Sequence, residues 1–275
     1  MPRVSGIVES VTMRLAILML PLVVGCAKSR EPVPEDVEGL SGYLFQHWED
    51  PENLGSGMQN VADWLDTDGV PETLPDGYVL PDLTADEVMA VEYPDDPPLD
   101  TIIGVAVGAV SPYDILGHAD LITWQDQTWN ADSYDVYNRT IVSGDAAAFA
   151  SGSGTISTEN EIDKAGAFNV HIPYTLYKDY AWVELADGAS AIVARSWTSE
   201  RNCAENGNNC IDLSFSVDLF YGSEPGQTVR LTASWNKLTT VADGLITEDG
   251  MIGQMVSGVG DIMINTDAVL LEEGW

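Results

Sequence analysis

From Tyr134 onward the chain alternates with a period of two. Ile172, Tyr174 and Leu176 alternate with His171, Pro173 and Thr175, and Phe168 and Val170 extend the same pattern. Ile211, Leu213, Phe215, Val217, Leu219 and Tyr221 alternate with Asp212, Ser214, Ser216 and Asp218, and Val229, Leu231, Ala233 and Trp235 do the same. Such segments predict antiparallel strands with one apolar and one mostly polar face. Asp187-Gly188 separates two such runs, Tyr180 to Leu185 and Ser190 to Thr198, and predicts a hairpin. Short turns between successive strands make a meander.

The flanking regions follow a helical period. Leu54, Met58, Val61 and Leu65 fall on one helix stripe, with Gly69 as its stop. Thr84 and Glu87 form a capping box, stapled by Leu83 and Val88. The acidic, Pro-rich stretch 93–98 ends that element. The apolar run Ile102 to Val110 is too short to cross a membrane and reads as a buried strand. Ser111-Pro112-Tyr113-Asp114 then opens a helix, with Ser111 as N-cap and Pro112 at the first helical position. At the C-terminus Ile252, Met255, Val256, Val259, Ile262 and Met263 share a stripe, with Thr247 as cap. Gly253, Gly258 and Gly260 each oppose that helix by about 1 kcal/mol, or let it lie close against a sheet.

The order is strand, helix, several antiparallel strands and a final helix. Asp187-Gly188-Ala189-Ser190-Ala191-Ile192-Val193-Ala194-Arg195-Ser196-Trp197 resembles a characteristic strand of START domains, and Val229 to Asn236 resembles the strand after it. The stretch from Thr101 to Leu271 is thus similar to the START-like helix-grip superfamily. That likeness implies an α+β fold in which a curved antiparallel sheet grips a C-terminal helix around an apolar cavity. The family opens with two helices after its first strand, and residues 123–133 are the place for the second. A β-barrel of lipocalin type or a β-sandwich is the alternative architecture.

The run Met13 to Cys26 has a basic start, a short apolar stretch and a small residue before a cysteine, the build of an export signal. Val23-Val24-Gly25-Cys26 resembles the lipobox of bacterial lipoproteins. The resemblance implies lipidation of Cys26, which becomes the mature N-terminus, and Ala27 after it favours the outer membrane. Glu9 fits such a signal poorly, so Met13 is the better start. The expected organisation is a signal peptide (1–25), a polar tether (26–39), a helical N-terminal region (40–98) and the antiparallel α+β domain (99–275).

Charge narrows the partners. The 275 residues carry 44 acidic and 11 basic side chains, a formal net charge of −33, with no Lys or Arg between Arg30 and Arg139. Such a surface repels phosphodiester backbones, which excludes nucleic-acid binding. It serves either as a solvated coat or to attract cations or a basic partner. With 45% apolar residues and eight Trp, the chain buries a real core. Of three cysteines, Cys203 and Cys210 remain after Cys26. An exported compartment is oxidising, and the turn-rich segment between them brings the two together, so a disulfide worth about 2–3 kcal/mol is expected. Neither CxxC spacing nor a nearby His points to metal.

No catalytic, metal or cofactor set stands out. There is no Gly-x-Ser-x-Gly, and Ser151-Gly152-Ser153-Gly154 reads as a turn. His47, His118 and His171 lack ligand spacing, and His171 belongs on the outer side of its strand. Asp66-Thr67-Asp68-Gly69 fails the EF-hand pattern at its first and twelfth positions. Arg195 lies in an apolar strand in register with Val193 and Trp197. It meets a ligand's polar head or a buried acid if that face is inward, or pairs with a surface acid at a strand edge. Tyr174, Trp197 and Trp235 are either core packing or the wall of an apolar pocket. Tyr174, Arg195, Trp197 and Trp235 are therefore the candidate ligand residues. The expected function is that of an envelope lipoprotein, membrane-bound through its lipid, that holds a hydrophobic small molecule or lipid without catalysis. The alternative is a structural or interaction lipoprotein of the outer membrane with a filled core.

Overall fold

A computed structural model describes residues 32–67, 77–93, 99, 102–165, 171–239 and 247–275. Cys26, Gly69, Phe168 and Val170 lie outside the described residues. Val33 to Trp275 cluster as one compact unit.

Helices α1 (Val37–Gln46) and α2 (Pro51–Thr67) come first, then strand β1 (Tyr78–Leu80) and the single-turn helix α3 (Ala85–Val88). β2 (Ile103–Ser111) is followed by α4 (Ile115–Ile122), β3 (Tyr134–Gly144) and α5 (Ala146–Ala150). β4 (Thr155–Ala165), β5 (His171–Glu184), β6 (Ser190–Trp197), β7 (Asn202–Cys203), β8 (Cys210–Glu224), β9 (Gln227–Thr239) and α6 (Glu248–Glu273) complete the chain. The strands form one open antiparallel sheet in the order β1-β2-β9-β8-β6-β5-β4-β3, with β7 on β8. The architecture is α+β, with a long C-terminal helix held against the sheet in the helix-grip manner, and is neither a closed barrel nor a sandwich.

Local chemistry accounts for most boundaries. Both bonds of the Thr84–Glu87 capping box form, and Thr247 caps α6 by accepting from the Gly250 amide. The β5–β6 hairpin turns at Asp187-Gly188, where Gly188 has φ 85°, a left-handed conformation that a Cβ would strain. The α4 cap differs from the expectation. Asp114, not Ser111, is the N-cap and accepts from the Leu116 amide at 2.9 Å. Ser111 stays in β2 because β9 pairs with it through Thr228. Residues 123–133 make only a 3-10 turn, Thr128–Asn130, where the resemblance leaves room for a second helix. Cys203 and Cys210 form a disulfide beside the β7–β8 pair.

The registers decide what each face does. Tyr180, Ala194, Asp218 and Thr232 lie opposite one another across β5, β6, β8 and β9. Between the register shifts of β8, even-numbered positions of these four strands therefore share one face and odd-numbered positions the other. The odd face carries Phe215, Val217, Leu231 and Trp235, all buried under Leu44, Phe45 and Met58 of α1 and α2. Phe45 meets Phe215 edge-on at 5.6 Å. Gly104 lies opposite Trp235, and a Cβ there would sit 2.5 Å from the indole, so glycine makes room for the ring. The main core thus lies between the sheet and the N-terminal helices. A smaller cluster on the even face, around Phe149, Ile156, Tyr180 and Ile192, is closed by α4 and α5.

Candidate ligand cavity

Between the even face of the sheet and α6 lies a cavity of about 770 Å3. Its roof is mostly apolar: Met251, Met255, Val259, Ile262 and Met263 of α6 face it, with Gln254, Asp261 and Thr266 among them. Its floor is polar. Ser196, Ser216 and Ser234 stand in one row across β6, β8 and β9, next to Lys178 of β5. Ser196 and Ser216 hydroxyls are 2.7 Å apart. The strand alternation places them: the same period that turns Phe215 and Val217 to the core turns Ser214, Ser216 and Asp218 to the cavity. Of the three glycines of α6, Gly258 lines the cavity, and a Cβ at Gly253, Gly258 or Gly260 would meet nothing within 4 Å. These glycines do not serve close contact with the sheet.

Charges in this floor are paired by the register. Lys178 Nζ lies 2.9 Å from Asp218 Oδ2, and Thr232 donates to Asp218 Oδ1 at 2.9 Å. Burial is the largest single influence and disfavours the Lys178 ammonium, but Asp218 together with the Tyr180 and Tyr137 phenols outweighs it and holds the lysine pKa above its usual value. Arg139, 5% exposed, donates to the Asn160 side-chain oxygen and to the Ile122 carbonyl, and its guanidinium lies 5.4 Å from the Tyr180 ring centre. Tyr134 and Tyr174 both line the cavity, and burial first, then neighbouring phenols, raise both of their pKa values. Partial desolvation within the cavity wall lowers the pKa of Lys164, which is nevertheless exposed to water and whose ammonium lies 5.7 Å from the Tyr134 ring centre.

One end of α6 is pinned to the sheet. Arg230 of β9 donates to the Met263 carbonyl and to Asp267 Oδ2, both at 3.1 Å, and Ser111 donates to Asp267 Oδ1 at 2.7 Å. His118 Nε2 lies 3.1 Å from Ser111 Oγ. Because the Ser111 proton goes to Asp267, His118 donates from Nε2 and keeps Nδ1 as a bare acceptor. Burial and then Arg230 lower its pKa to about 3, so the ring is neutral. The residue types are those of a hydrolytic triad, but the wiring is not: the carboxylate holds the serine rather than the imidazole, and Ser111 is fully buried. Among the described residues no His, Cys, Asp and Glu group is arranged to hold a metal, and no helix is long and apolar enough to cross a membrane.

Of the four candidate ligand residues, the structure places only Tyr174 on the cavity. Arg195, Trp197 and Trp235 belong to the odd face and are separated from it by the sheet. Arg195, 4% exposed, donates to Asp179 Oδ2 at 3.0 Å and to Glu49 Oε1 at 2.7 Å, between the rings of Trp48 and Trp197. Trp197 stacks on Tyr177, and Trp235 donates to the Pro81 carbonyl at 2.9 Å. The reason is the N-terminal helical region, which covers the apolar side of the sheet and leaves the serine side for the cavity. Sequence reasoning missed Lys178, Asp218, Arg139 and the serine row. Their signal was the polar half of the same alternation. His171, as expected, faces outward, 3.2 Å from Asp135 and 3.4 Å from Asp163.

No family model matches the chain, and no curated protein matches it. Solved structures similar to it include a protein from Thermus thermophilus (11% identity, 62% of this chain and 99% of that one, TM-score 0.38). The Zhui aromatase/cyclase from Streptomyces sp. R1128 is similar at 11% identity over 62% of this chain and 93% of its own, with TM-score 0.35. The human StarD13 lipid transfer and protein localization domain is similar at 12% identity over 74% of this chain and 95% of its own, with TM-score 0.36. These likenesses concern fold alone. The reading of the cavity stands on the registers and side chains given above.

Proposed function

We propose that this chain is an outer-membrane-anchored lipoprotein whose body holds a hydrophobic small molecule or lipid without chemically changing it. The observation that carries the proposal is the cavity of about 770 Å3 between the serine-lined sheet and the apolar stripe of α6. A void of this size suits a drug-sized or lipid-sized occupant. One mostly apolar and one polar wall favour a molecule with both characters. The anchor rests on the Met13–Cys26 segment and its lipobox-like end. The absence of chemistry rests on the wiring of Ser111, His118 and Asp267, which supplies neither a freed nucleophile nor a base oriented toward one. The cavity weighs against the filled-core alternative.

Native mass spectrometry of the chain, purified without detergent and then exposed to lipid extract, tests the reading. A discrete hydrophobic adduct that a cavity-filling substitution removes is the expected result. A bare mass before and after exposure would overturn it.

A further inference from the structure

The chain carries a net charge of −33, yet its cations gather inside. Among the described residues, Arg139, Lys164, Lys178, Arg230 and Lys237 line the cavity, and only Arg195 and Arg201 lie elsewhere. Two of the cavity cations are matched: Lys178 by Asp218 and Arg230 by Asp267. Arg139 and Lys164 are not. Among the described residues neither is paired with a carboxylate. The acceptors of Arg139 are all neutral: the Asn160 side chain, the Ile122 carbonyl and, at 3.5 Å, the Tyr137 hydroxyl. Lys164 has the face of Tyr134.

These two cations belong to one strip of the cavity wall. Lys164 lies over Tyr134, the Tyr134 and Tyr137 ring centres are 5.1 Å apart, and the Arg139 guanidinium lies 5.8 Å from the Tyr137 ring centre. Tyr174 lines the cavity with them, so three phenols, Tyr134, Tyr137 and Tyr174, are available as donors. A positive charge taken out of water is costly unless an anion or strong acceptors meet it. Arg139 is buried with neutral acceptors alone, and Lys164, at the exposed end of the same strip, also has no carboxylate partner among the described residues, so neither charge is neutralised from within the chain.

We propose that the occupant of the cavity is an amphipathic anion whose oxyanion head, a carboxylate or a phosphate monoester, is held by Lys164 and Arg139 with the phenols of the same wall. Its apolar portion lies under Met255, Val259 and Ile262 of α6. This rests on the carrier reading above and adds the sign and chemistry of the head group. Charge-assisted bonds to two cations discriminate an anion from a neutral molecule of equal chain length by a factor of at least about ten.

The test is calorimetric titration of the full chain with four decyl compounds: decanoate, decyl phosphate, decanol and decyltrimethylammonium. The expected result is that one or both anions bind at least about tenfold more tightly than decanol, and that the ammonium compound binds worst. Decanoate and decyl phosphate compared with each other separate the two head groups. Lys164→Met should reduce anion affinity by about tenfold while leaving decanol binding unchanged, and Lys164→Arg should restore most of it. Equal binding of decanol and the anions, or a Lys164→Met effect of the same size on all four, would overturn the anion assignment and leave the carrier reading standing. Failure of all four to bind the unaltered chain would overturn both.

Discussion

Trp235 and Asn236 are neighbours in β9 and face different compartments. The Trp235 indole is 1% exposed beneath the N-terminal helices and donates to Pro81, whereas Asn236 lines the cavity. The sheet is a partition, and over the in-register stretch of β5, β6, β8 and β9, inside the β8 register shifts, alternate positions face opposite sides. Stability and ligand binding should therefore separate by mutation.

Trp235→Phe removes the bond to Pro81 and leaves a partial void, at a cost of about 1–3 kcal/mol. Uptake of ligand per folded molecule should be unchanged. Gly258→Leu acts oppositely. It relieves a helix-interior glycine, worth up to about 1 kcal/mol, and projects a side chain into the open cavity. Its melting temperature should hold or rise while adduct formation falls. Thermal melts alongside native mass spectra read both, and a Trp235→Phe protein that loses uptake in proportion to Gly258→Leu would refute the partition.

Lys178 and Asp218 should depend on each other. Lys178→Met leaves the Asp218 carboxylate buried with Thr232 as its remaining polar partner, at a cost of about 3 kcal/mol. Adding Asp218→Asn should recover most of that loss. Urea unfolding of the two single variants and the double variant gives the coupling, expected at about 1 kcal/mol or more. Strictly additive losses would mean that the pair is insulated by solvent.

His118 makes stability fall with acid. Its pKa is about 3 in the folded protein against an ordinary value of 6.5 for a solvated imidazole, which the unfolded chain adopts. Well above pH 6.5 the ring is neutral in both states. Below that, the unfolded chain takes up a proton that the folded chain refuses. The stabilisation is complete above pH 6.5 and is lost toward pH 3, at about 1.4 kcal/mol per pH unit. His118→Phe should lose about 2 kcal/mol less than the unaltered protein between about pH 7 and pH 5. The many surface carboxylates titrate alike in both proteins and cancel. Equal acid sensitivity would assign the effect elsewhere.

The Cys203–Cys210 disulfide closes a separation of seven residues, so its loop-entropy contribution is modest, about 2 kcal/mol. Reduction, or the double substitution Cys203→Ser with Cys210→Ser, should lower the unfolding midpoint by loosening the edge of the sheet where Cys210 borders the cavity. Denaturation with and without reductant measures it. A loss of fold on reduction would show that β7 and its turn support far more of the sheet than the β8 edge they touch.

Much of this architecture is legible in the sequence because it is local. Alternation in β8 and β9, the Asp187-Gly188 turn, the Thr84–Glu87 box and the Thr247 cap all follow from neighbours within a few residues. The stripe Leu54, Met58, Val61 and Leu65 is equally plain, but not what it covers. Arg195, Trp197 and Trp235 do share a face with apolar neighbours, as the alternation implies. The inference that an apolar face is a ligand's face is what failed. Arg195 instead meets Asp179 and Glu49, the second of these 146 residues away in sequence.

Period-two patterning determined that the sheet has an oily side and a serine side, since backbone pleat alone sends successive side chains to opposite faces. Which side meets α1 and α2 and which meets α6 was decided only in three dimensions. Burying Phe215, Val217 and Trp235 against the N-terminal helices removes the larger apolar area from water, and that leaves Lys178, Asp218 and the serine row to face the space under α6. The cavity exists because α6 presents its apolar stripe to a floor that cannot pack against it closely, a relation between segments that no single stretch of the chain contains.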